Sequence, residues 1–262
     1  MYIFFDKKRE IDPEQLNNPT VLIGWPGIAL VGKLAISSIK DSIDAELVYE
    51  IQYFDFPPKS SVEKGALDIP TAKLYYKARE EGDIFVLTGD YQPQSPEGVF
   101  EFSKQFCEQM DKLTEGNIRM YLSAGAMVSD KSTDKEVPTV FVSGTDKSLA
   151  ESFLEFEHTE LMESGVIAGA NGILPAWAGK NNFASGICLL AETLPLRMIN
   201  LDPKASKSLV TIIKDYFHID MDYSELDKKI EEMEDMLDKF KEQANHFMKE
   251  YQKDKGVDSY FR

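Results

Sequence analysis

The chain reads Thr20-Val21-Leu22-Ile23-Gly24-Trp25-Pro26-Gly27 near its start and continues into a helical pattern from Ile28 to Ile39. An uninterrupted apolar run closed by glycine is typical of a strand that is buried on both faces of a sheet. The apolar residues that follow recur at helical spacing, so we expect a helix whose inward-packing residues are Ala29, Leu30, Leu34, Ile36 and Ile39. A buried strand that leads into such a helix indicates an α/β domain.

Strand and helix patterns alternate through the rest of the body. The predicted strands are Glu46–Tyr53, Asp83–Leu87, Ile118–Leu122, Thr139–Val142 and Phe183–Leu190, and the predicted helices are Pro96–Leu113 and Asp202–Phe217. The stretches 54–70 and 124–137 are polar or contain proline and glycine, so we expect them to be loops. Alternating strands and helices predict a layered α/β fold with a mostly parallel sheet.

Composition argues against several classes of partner. The 262 residues carry a formal net charge of −16, which disfavours nucleic acid and anionic membranes because both repel acidic proteins. No apolar run reaches the ~18–20 residues of a membrane span, and the apolar stretch within Met1–Lys8 is too short for a signal peptide. Cys107 and Cys188 form neither a disulfide framework nor a metal cluster. We therefore expect a cytoplasmic protein that binds no nucleic acid, no membrane and no cofactor.

The segment Gly27–Lys33 has the Gly-x4-Gly-Lys spacing of a phosphate-binding loop between a strand and a helix. However, Leu34 stands where such a loop has a Ser or Thr hydroxyl for Mg²⁺, and the four residues between the glycines are all apolar. These four residues are better explained as a helix already under way, with Gly27 and Gly32 permitting close backbone packing. A small-molecule-binding or phosphorylase-like enzyme that uses this loop, including Lys33, is the alternative hypothesis.

Other residue types that carry catalysis lack identifiable partners in the sequence. Asp90 follows a predicted central strand, at the sheet edge where α/β proteins bind ligands, but a turn-capping role is the better interpretation. His158 fits a solvated turn, and His218 follows a helix end, where histidines interact with terminal carbonyls. No His-x-x-x-His or Cys-x-x-Cys pair suggests a metal site. We predict no catalytic residue and no metal ligand.

The segment Gly165–Ala178 is rich in glycine and alanine. Its glycines fit either a ligand-binding loop or a tight turn that leads into a helix against the sheet. Because the segment contains no charged residue, and specific pockets need a few convergent polar groups, we favour the turn.

The last forty residues follow a different pattern from the body. Their apolar positions alternate spacings of four and three, which is the narrow seam of a coiled coil. These positions are Leu226, Ile230, Met233, Leu237, Phe240, Ala244, Phe247 and Tyr251. The pattern stops at Gly256, and the sequence continues to Ser259-Tyr260-Phe261-Arg262. We therefore predict an α/β body at 1–221, a heptad-patterned helical stalk at 222–255 and a tail at 256–262. We interpret the aromatic tail as a partner-binding segment, and a frayed terminus is the alternative.

Four segments of the body occur in the order found in the proteasome-assembly-chaperone-two family, particularly its archaeal members. They are Gly24-Trp25-Pro26-Gly27 through Gly32, Gly169-Ala170-Asn171-Gly172-Ile173-Leu174, Cys188-Leu189-Leu190-Ala191-Glu192-Thr193, and Asp202-Pro203. Over residues 20–220 the chain resembles this family. The resemblance implies a three-layer α/β/α domain similar to nucleoside phosphorylases, without their catalysis.

The resemblance also implies partners. Archaeal members look like homo-oligomers that bind the α-ring of the core proteasome through a C-terminal hydrophobic–tyrosine–any-residue tail. In this chain Tyr260 takes the hydrophobic place, Phe261 takes the tyrosine place and Arg262 supplies the terminal carboxylate. Phe261 lacks the phenol hydroxyl, so one hydrogen bond worth about 0.5–1.5 kcal/mol net is absent.

From these observations we expect a non-enzymatic proteasome assembly chaperone or ATP-independent activator. Its expected partners are the core proteasome α-subunits and further copies of itself. Two alternatives stay open at this point. One is the enzyme that uses Gly27–Lys33, and the other is a coiled-coil scaffold with an unrelated partner.

Overall fold

A nine-stranded sheet organises the protein, as shown by a computed structural model that describes residues 2–129, 135–194 and 201–235. The strands are β1 (Ile3–Lys7), β2 (Thr20–Gly24), β3 (Glu46–Tyr53), β4 (Ser61–Glu63), β5 (Ala66–Asp68), β6 (Ala72–Lys77), β7 (Ile84–Gly89), β8 (Met120–Val128), β9 (Val140–Gly144), β10 (Thr159–Leu161) and β11 (Ser185–Thr193). The helices are α1 (Val31–Ser42), α2 (Pro96–Thr114), α3 (Lys147–Ser152), α4 (Ala170–Lys180) and α5 (Pro203–Phe217), and a further helix covers 224–235.

The centre of the sheet is parallel and its flanks are mixed. The strand order is β1-β3-β6-β7-β2-β8-β11-β9-β10. Strands β7, β2, β8 and β11 run parallel to one another, and β9 pairs parallel with β10. The pairs β1–β3, β3–β6, β6–β7 and β11–β9 are antiparallel. The α/β class is confirmed, but the mostly parallel sheet that the sequence predicted is a mixed one, parallel at the centre and in the β9–β10 pair.

Strand β2 shows why the centre is parallel. All five of its residues are buried, as are all six of β7. Strands buried on both faces need helices on both sides, and parallel neighbours joined by helical crossovers supply those helices. The apolar run that begins at Thr20 therefore forms the doubly buried strand that the sequence predicted.

The helices form two layers on opposite faces of the sheet. On one face α1 packs against α5 and against β2, β7 and β8. On the other face α2 packs against α4, and α4 contacts β8 and β11. The core on the α2 face is aromatic, and the buried Trp25 and Phe102 rings meet edge to face with centroids 5.2 Å apart. The result is a three-layer α/β/α body, as the family resemblance implied.

Two glycines let helices lie directly on the sheet. A Cβ on Gly32 of α1 would lie 2.0 Å from the carbonyl oxygen of Ala124 in β8. A Cβ on Gly186 of β11 would lie 2.0 Å from the carbonyl oxygen of Pro175 in α4. Both obstacles are backbone atoms, which cannot rotate away, so each helix is held against the sheet at a position that only glycine permits.

Some element boundaries differ from those predicted. Strand β8 continues to Val128, so 124–128 belongs to the sheet although the sequence predicted a loop at 124–137. The sequence pattern missed this part of β8 because Ala124, Gly125 and Ala126 have small side chains. The large apolar side chains around them belong to the neighbouring strands β2 and β11. Within the predicted loop at 54–70, strands β4 and β5 form a two-stranded hairpin. The sequence patterns also missed β1, β6, α3 and β10.

The chain divides into two compact units, and the division falls between Asp222 and Tyr223. The sheet and its helical layers belong to the first unit, and helix 224–235 belongs to the second. In the part of the chain that the structure describes, none of the helices is both long enough and apolar enough to cross a membrane.

Candidate functional site

A cavity of about 350 Å³ opens at the carboxyl edge of the parallel strands. Its lining includes Gly125 to Val128 at the end of β8 and Leu190 of β11. Residues Gly27 and Ile28, which follow β2, and Asn171 in the first turn of α4 also line it. Ligands of open α/β sheets bind at this edge, where the strands end and the helices begin. The cavity therefore occupies the position at which a small-molecule site is expected.

The turn between β2 and α1 is a short 3₁₀ segment, Ile28–Leu30, and not the α-helix that the sequence predicted to be already under way at Ile28. Ala29 and Leu30 have left-handed backbones with φ of 47° and 52°, and α1 begins only at Val31. The backbone N–H of Asp202 donates to the carbonyl oxygen of Ala29 at 2.9 Å, and this contact holds the turn. A tertiary contact has overridden the local helical pattern.

The inward face that the sequence predicted for α1 is therefore only partly confirmed. Ile36 and Ile39 are buried, but Leu34 and Ala29 are half-buried and Leu30 is exposed. Val31, Gly32 and Ala35 are buried in addition, because the helix axis is set by the contact of Gly32 with β8. The predicted inward face is partly wrong because the predicted helix begins at Ile28, three residues before α1.

The charged residues of the enzyme hypothesis do not line this cavity. Its lining contains Gly27 and Gly32 but not Lys33. Asp90 instead binds the backbone, because its Oδ2 accepts the N–H of Thr71 at 3.0 Å while its own N–H donates to the carbonyl of Thr71 at 3.0 Å. Asp90 thus ties the end of β7 to the segment before β6, which agrees with the structural role that the sequence favoured.

The glycine-rich segment turns into α4, as the sequence analysis favoured. Gly169 has φ of 76° and is followed directly by the helix. The side-chain amide of Gln92 fixes this turn, since its Oε1 accepts the N–H of Ala170 at 2.9 Å. The same amide donates through Nε2 to the carbonyl of Pro26 at 2.7 Å. Gln92 therefore joins the two turns that lead into α1 and α4, on either side of the cavity.

Asn171 is the polar residue that the α4 turn brings to the cavity. Its backbone carbonyl accepts a hydrogen bond from the Ser123 hydroxyl at 2.5 Å. Its side-chain Nδ2 lies 3.4 Å and 3.8 Å from the positions that Cβ atoms on Gly125 and Gly27 would occupy. Asn171 lies in one of the four segments that carry the family resemblance, but nothing in the sequence identifies it as a site residue. Gln92 has no local sequence feature that could have identified it.

A second buried polar cluster lies at the end of β11. The Lys135 ammonium pairs with the carboxylate of Glu192, which is almost fully buried. Burial alone would raise the pKa of Glu192, but the hydrogen bond and positive charge of Lys135 bring the pKa below its usual range. This pair is therefore a source of stability at neutral pH rather than an exposed charge pair.

The neighbouring Thr193 and Asp202 connect two of the segments that carry the family resemblance. The Thr193 hydroxyl donates to Asp202 Oδ2 at 2.6 Å, and Asp202 Oδ1 accepts the N–H of Ala205 at 2.9 Å. Asp202 therefore caps α5 and, through its own N–H, holds the turn before α1. Residues that are far apart in the sequence form one polar junction.

The described histidines lie in backbone turns outside the cavity lining. His158 is exposed and left-handed, with φ of 61°, which fits the solvated turn that the sequence predicted. His218 ends α5 with φ of 52°. The Arg79 guanidinium supplies the side-chain contact to this helix end, since Nη2 donates to the carbonyls of Phe217 and His218 at 2.9 and 3.0 Å.

Both cysteines are buried and uncharged. Burial raises the pKa of the Cys107 thiol to about 12 and that of the Cys188 thiol to about 11. Cys188 is thus a small buried residue in β11. Within residues 2–129, 135–194 and 201–235, no group of three or more His, Cys, Asp or Glu side chains is placed to hold a metal ion.

The predicted partner-binding and seam residues lie mostly beyond the described ranges. Leu226, Ile230 and Met233 belong to helix 224–235. The other seam positions and the tail lie outside the described residues; they are Leu237, Phe240, Ala244, Phe247, Tyr251, Tyr260, Phe261 and Arg262. The coiled-coil seam and the tail site therefore stay predictions.

Fold and cavity together define a three-layer α/β protein whose sheet edge lies between two glycine-containing turns. The model of the PAC2 family matches residues 21–241, and the chain belongs to this family. Over 205 residues it is 29% identical to the uncharacterized protein MJ1210 of Methanocaldococcus jannaschii, covering 78% of this chain and 75% of that protein.

Two solved structures from Pyrococcus furiosus share the fold. PbaB, an archaeal proteasome activator, matches with a TM-score of 0.81 at 24% identity, over 91% of this chain and 98% of PbaB. PbaA, an archaeal homolog of proteasome-assembly chaperone, matches with a TM-score of 0.73 at 21% identity, over 96% of each chain. At these identities the likeness concerns the fold.

Proposed function

We propose that this protein is a proteasome assembly chaperone or ATP-independent activator that binds the α-ring of a core proteasome and catalyses no reaction itself. Membership of the PAC2 family, across residues 21–241, is the observation that carries the proposal. The likeness to PbaB and PbaA supports it, because both are described in relation to proteasomes and both match more than nine-tenths of this chain.

The binding segment in this proposal is Tyr260-Phe261-Arg262. Each aromatic side chain buries about 150–250 Å² when it enters a pocket. At about 25 cal/mol per Å² the two rings contribute several kcal/mol, most of which offsets the entropy lost when a flexible tail is ordered. A single tail therefore binds weakly, and useful affinity requires several tails on one assembly.

Self-association through the heptad seam would supply these several tails. The seam positions are Leu226, Ile230, Met233, Leu237, Phe240, Ala244, Phe247 and Tyr251. When binding modules are linked, overall avidity exceeds the affinity of one module by about 10²–10⁴. The stalk and the tail thus serve one purpose in this proposal, which is to present multiple aromatic ends to a ring of identical sites.

The enzyme alternative is less well supported by the body. Its cation, Lys33, and its carboxylate, Asp90, do not line the cavity at the sheet edge. The scaffold alternative differs from the proposal only in its partner. Measuring direct binding to a core proteasome distinguishes the two.

The test uses the full chain and purified archaeal core proteasome, with binding measured by surface plasmon resonance and gate opening by hydrolysis of a fluorogenic peptide. Deleting 260–262 should weaken binding at least about tenfold. Phe261→Tyr should strengthen binding about twofold to tenfold, because it restores the absent hydroxyl. The matched control is Tyr2→Ala with Phe4→Ala, which removes two exposed aromatic rings from β1 and its flank.

Two results would count against the proposal in different ways. If the full chain does not bind any core proteasome α-ring, the proteasome is not the partner. If the full chain binds and the deletion of 260–262 binds equally well, the partner is supported but the tail is not the binding segment.

A further inference from the structure

Strand β1 lies at one end of the nine-stranded sheet, and in the described part of the chain no strand pairs with its outer edge. On its inner side the strand is bound to β3, where the N–H of Phe54 donates to the carbonyl of Tyr2 at 3.1 Å. Alternate residues of an antiparallel strand direct their main-chain groups toward the neighbour and away from it. The N–H and carbonyl groups of Ile3, Phe5 and Lys7 therefore face the open edge, which is a template for a further strand.

The side chains at the start of this edge are apolar. Tyr2 and Phe4 lie on one face of β1 and are 56% and 47% exposed. Ile3 and Phe5 lie on the other face, where they are partly buried against the aromatic core. Native edge strands are usually short or charged, which prevents pairing with other chains. The strand at the opposite end of the sheet follows this rule, because β10 has three residues with Glu160 at its centre, whereas the first three of the five residues of β1 are apolar.

We propose that β1 pairs antiparallel with β1 of a second copy of this chain, about a two-fold axis at Phe4. Phe4 then lies opposite Phe4 of the other copy, and Ile3 lies opposite Phe5. The outward main-chain groups of Ile3 and Phe5 bond to one another across the axis, and one continuous sheet runs through both bodies. This interaction goes beyond the proposed function, since it uses neither the tail nor the stalk.

Side-chain chemistry and strand length favour this register over its neighbours. An axis at Asp6 would set two carboxylates opposite each other, which is destabilising, and an axis at Phe5 would set Phe4 opposite Asp6. An axis at Ile3 would leave the outward groups of Phe5 beyond the start of the opposing β1. The axis at Phe4 sets an aromatic ring opposite an aromatic ring, which is a favourable cross-strand pair.

The pairing is weak by itself. Tyr2 and Phe4 expose about half of their surface, so each ring buries on the order of 100 Å² on pairing. Even with the main-chain edge, the total over both copies falls short of a standard interface, which buries about 1,200–2,000 Å². The net charge of −16 on each copy also opposes the pairing at long range, so added salt should strengthen it. The tests therefore use high protein concentration.

The first test forms a disulfide between two full chains in a glutathione redox buffer, followed by non-reducing gel electrophoresis. Cα atoms that lie directly opposite at a non-hydrogen-bonded position are about 4.5 Å apart, which permits a disulfide. Phe4→Cys should therefore form at least about tenfold more linked dimer than the control Asp6→Cys. The two Asp6 positions would lie about 14 Å apart along the strands, beyond the reach of a disulfide. The unmodified chain, whose Cys107 and Cys188 are buried, gives the background.

The second test compares two charge substitutions by sedimentation velocity of the full chain. Phe4→Lys sets two ammonium groups opposite each other and should shift the distribution to smaller species. The matched control is Phe54→Lys, because the ring of Phe54 is also 47% exposed but follows β3, one strand away from the edge. Phe54→Lys should sediment as the unmodified chain does. Both replaced rings are half exposed, so neither substitution removes a residue of the core.

Two results would each overturn the inference: no excess of linked dimer in Phe4→Cys over Asp6→Cys, or identical sedimentation of Phe4→Lys and Phe54→Lys. The pairing is tested separately from proteasome binding. Deleting 260–262 should leave the Phe4→Cys disulfide unchanged. Conversely, Tyr2→Ala with Phe4→Ala keeps the stalk and the tail, so this variant should lose the pairing and keep proteasome binding.

Discussion

The close approach of α1 to β8 at Gly32 makes a sharp prediction for the substitution Gly32→Ala. The added Cβ would lie 2.0 Å from the Ala124 carbonyl oxygen, 2.6 Å from its carbon and 3.1 Å from the Cα of Gly125. Ordinary contact begins at 3.4 Å, so the helix and the strand must separate by about 1.4 Å. No side-chain rotation can provide this space, because the three atoms belong to the main chain.

The loss of unfolding free energy in Gly32→Ala follows from the contacts that such a separation removes. Val31, Ala35, Ile36 and Ile39 on α1 are fully buried, so a gap opens beneath all of them at once. A gap of 0.5–1 Å already forfeits about a quarter to a half of each dispersion contact. Overpacking of a core costs about 1–3 kcal/mol and sometimes more, and alanine regains about 0.5–1 kcal/mol over glycine in a helix. Main-chain obstacles place Gly32→Ala at the upper end of the overpacking range, so we expect a net loss of about 2 kcal/mol.

The assay is urea unfolding followed by circular dichroism, with Gly27→Ala as the matched control. Gly27 has an extended backbone with φ of −153°, and its added Cβ would meet nothing closer than 3.7 Å. Both variants restrict the unfolded chain equally, so their difference isolates the contact with Ala124. The Gly32→Ala midpoint should lie about 1 M below that of Gly27→Ala. Equal midpoints would refute the close approach of α1 to the sheet.

Two further predictions concern buried ionisable groups. Because Lys135 holds the folded pKa of Glu192 below its unfolded value of about 4.3, the pair stabilises above that pH and loses this contribution as the pH falls through the folded pKa. Glu192→Gln should therefore reduce the acid-induced loss of unfolding free energy between about pH 6 and pH 3, measured by urea titration; an unchanged loss would show that the pair does not respond to pH. Cys107 and Cys188, with raised pKa values and buried side chains, should react with a thiol-specific chromophore at pH 8 far more slowly in the native chain than in the unfolded chain. Rapid labelling of either thiol in the native protein would contradict the burial.

The sequence predicted those strands and helices in which the spacing of the apolar residues follows the buried faces. Strands β2, β3 and β7 and helices α2 and α5 were found near their observed bounds, because apolar runs and helical stripes record which faces are covered. Strand β6 alternates buried and half-buried residues over Ala72–Lys77, but its tyrosines and lysines gave it too little apolar contrast. The β4–β5 hairpin is exposed throughout and has no core face to detect.

The candidate site was harder to predict, because distant segments form it. The glycine segment around Gly169 was identified as a turn into a helix, but nothing local shows that Gln92 reaches both that turn and Pro26. The left-handed backbone at Ala29 likewise depends on Asp202, whose position is known only once α5 is placed. Local propensity is a weak guide wherever a single long-range hydrogen bond determines a turn.

The central position of β2 also bears on how the chain folds. Thr20 pairs with Ile84 on one side and with Met120, a hundred residues later, on the other. By contrast, β3, β6 and β7 follow one another closely and pair as antiparallel neighbours. Closing a long loop costs conformational entropy before the contacts that stabilise it have formed. Pairings between strands far apart in the sequence therefore form late and slowly. Of the paired strands, β2 is thus expected to wait longest for one of its neighbours, since β8 follows it by a hundred residues, and its apolar faces need protection until then.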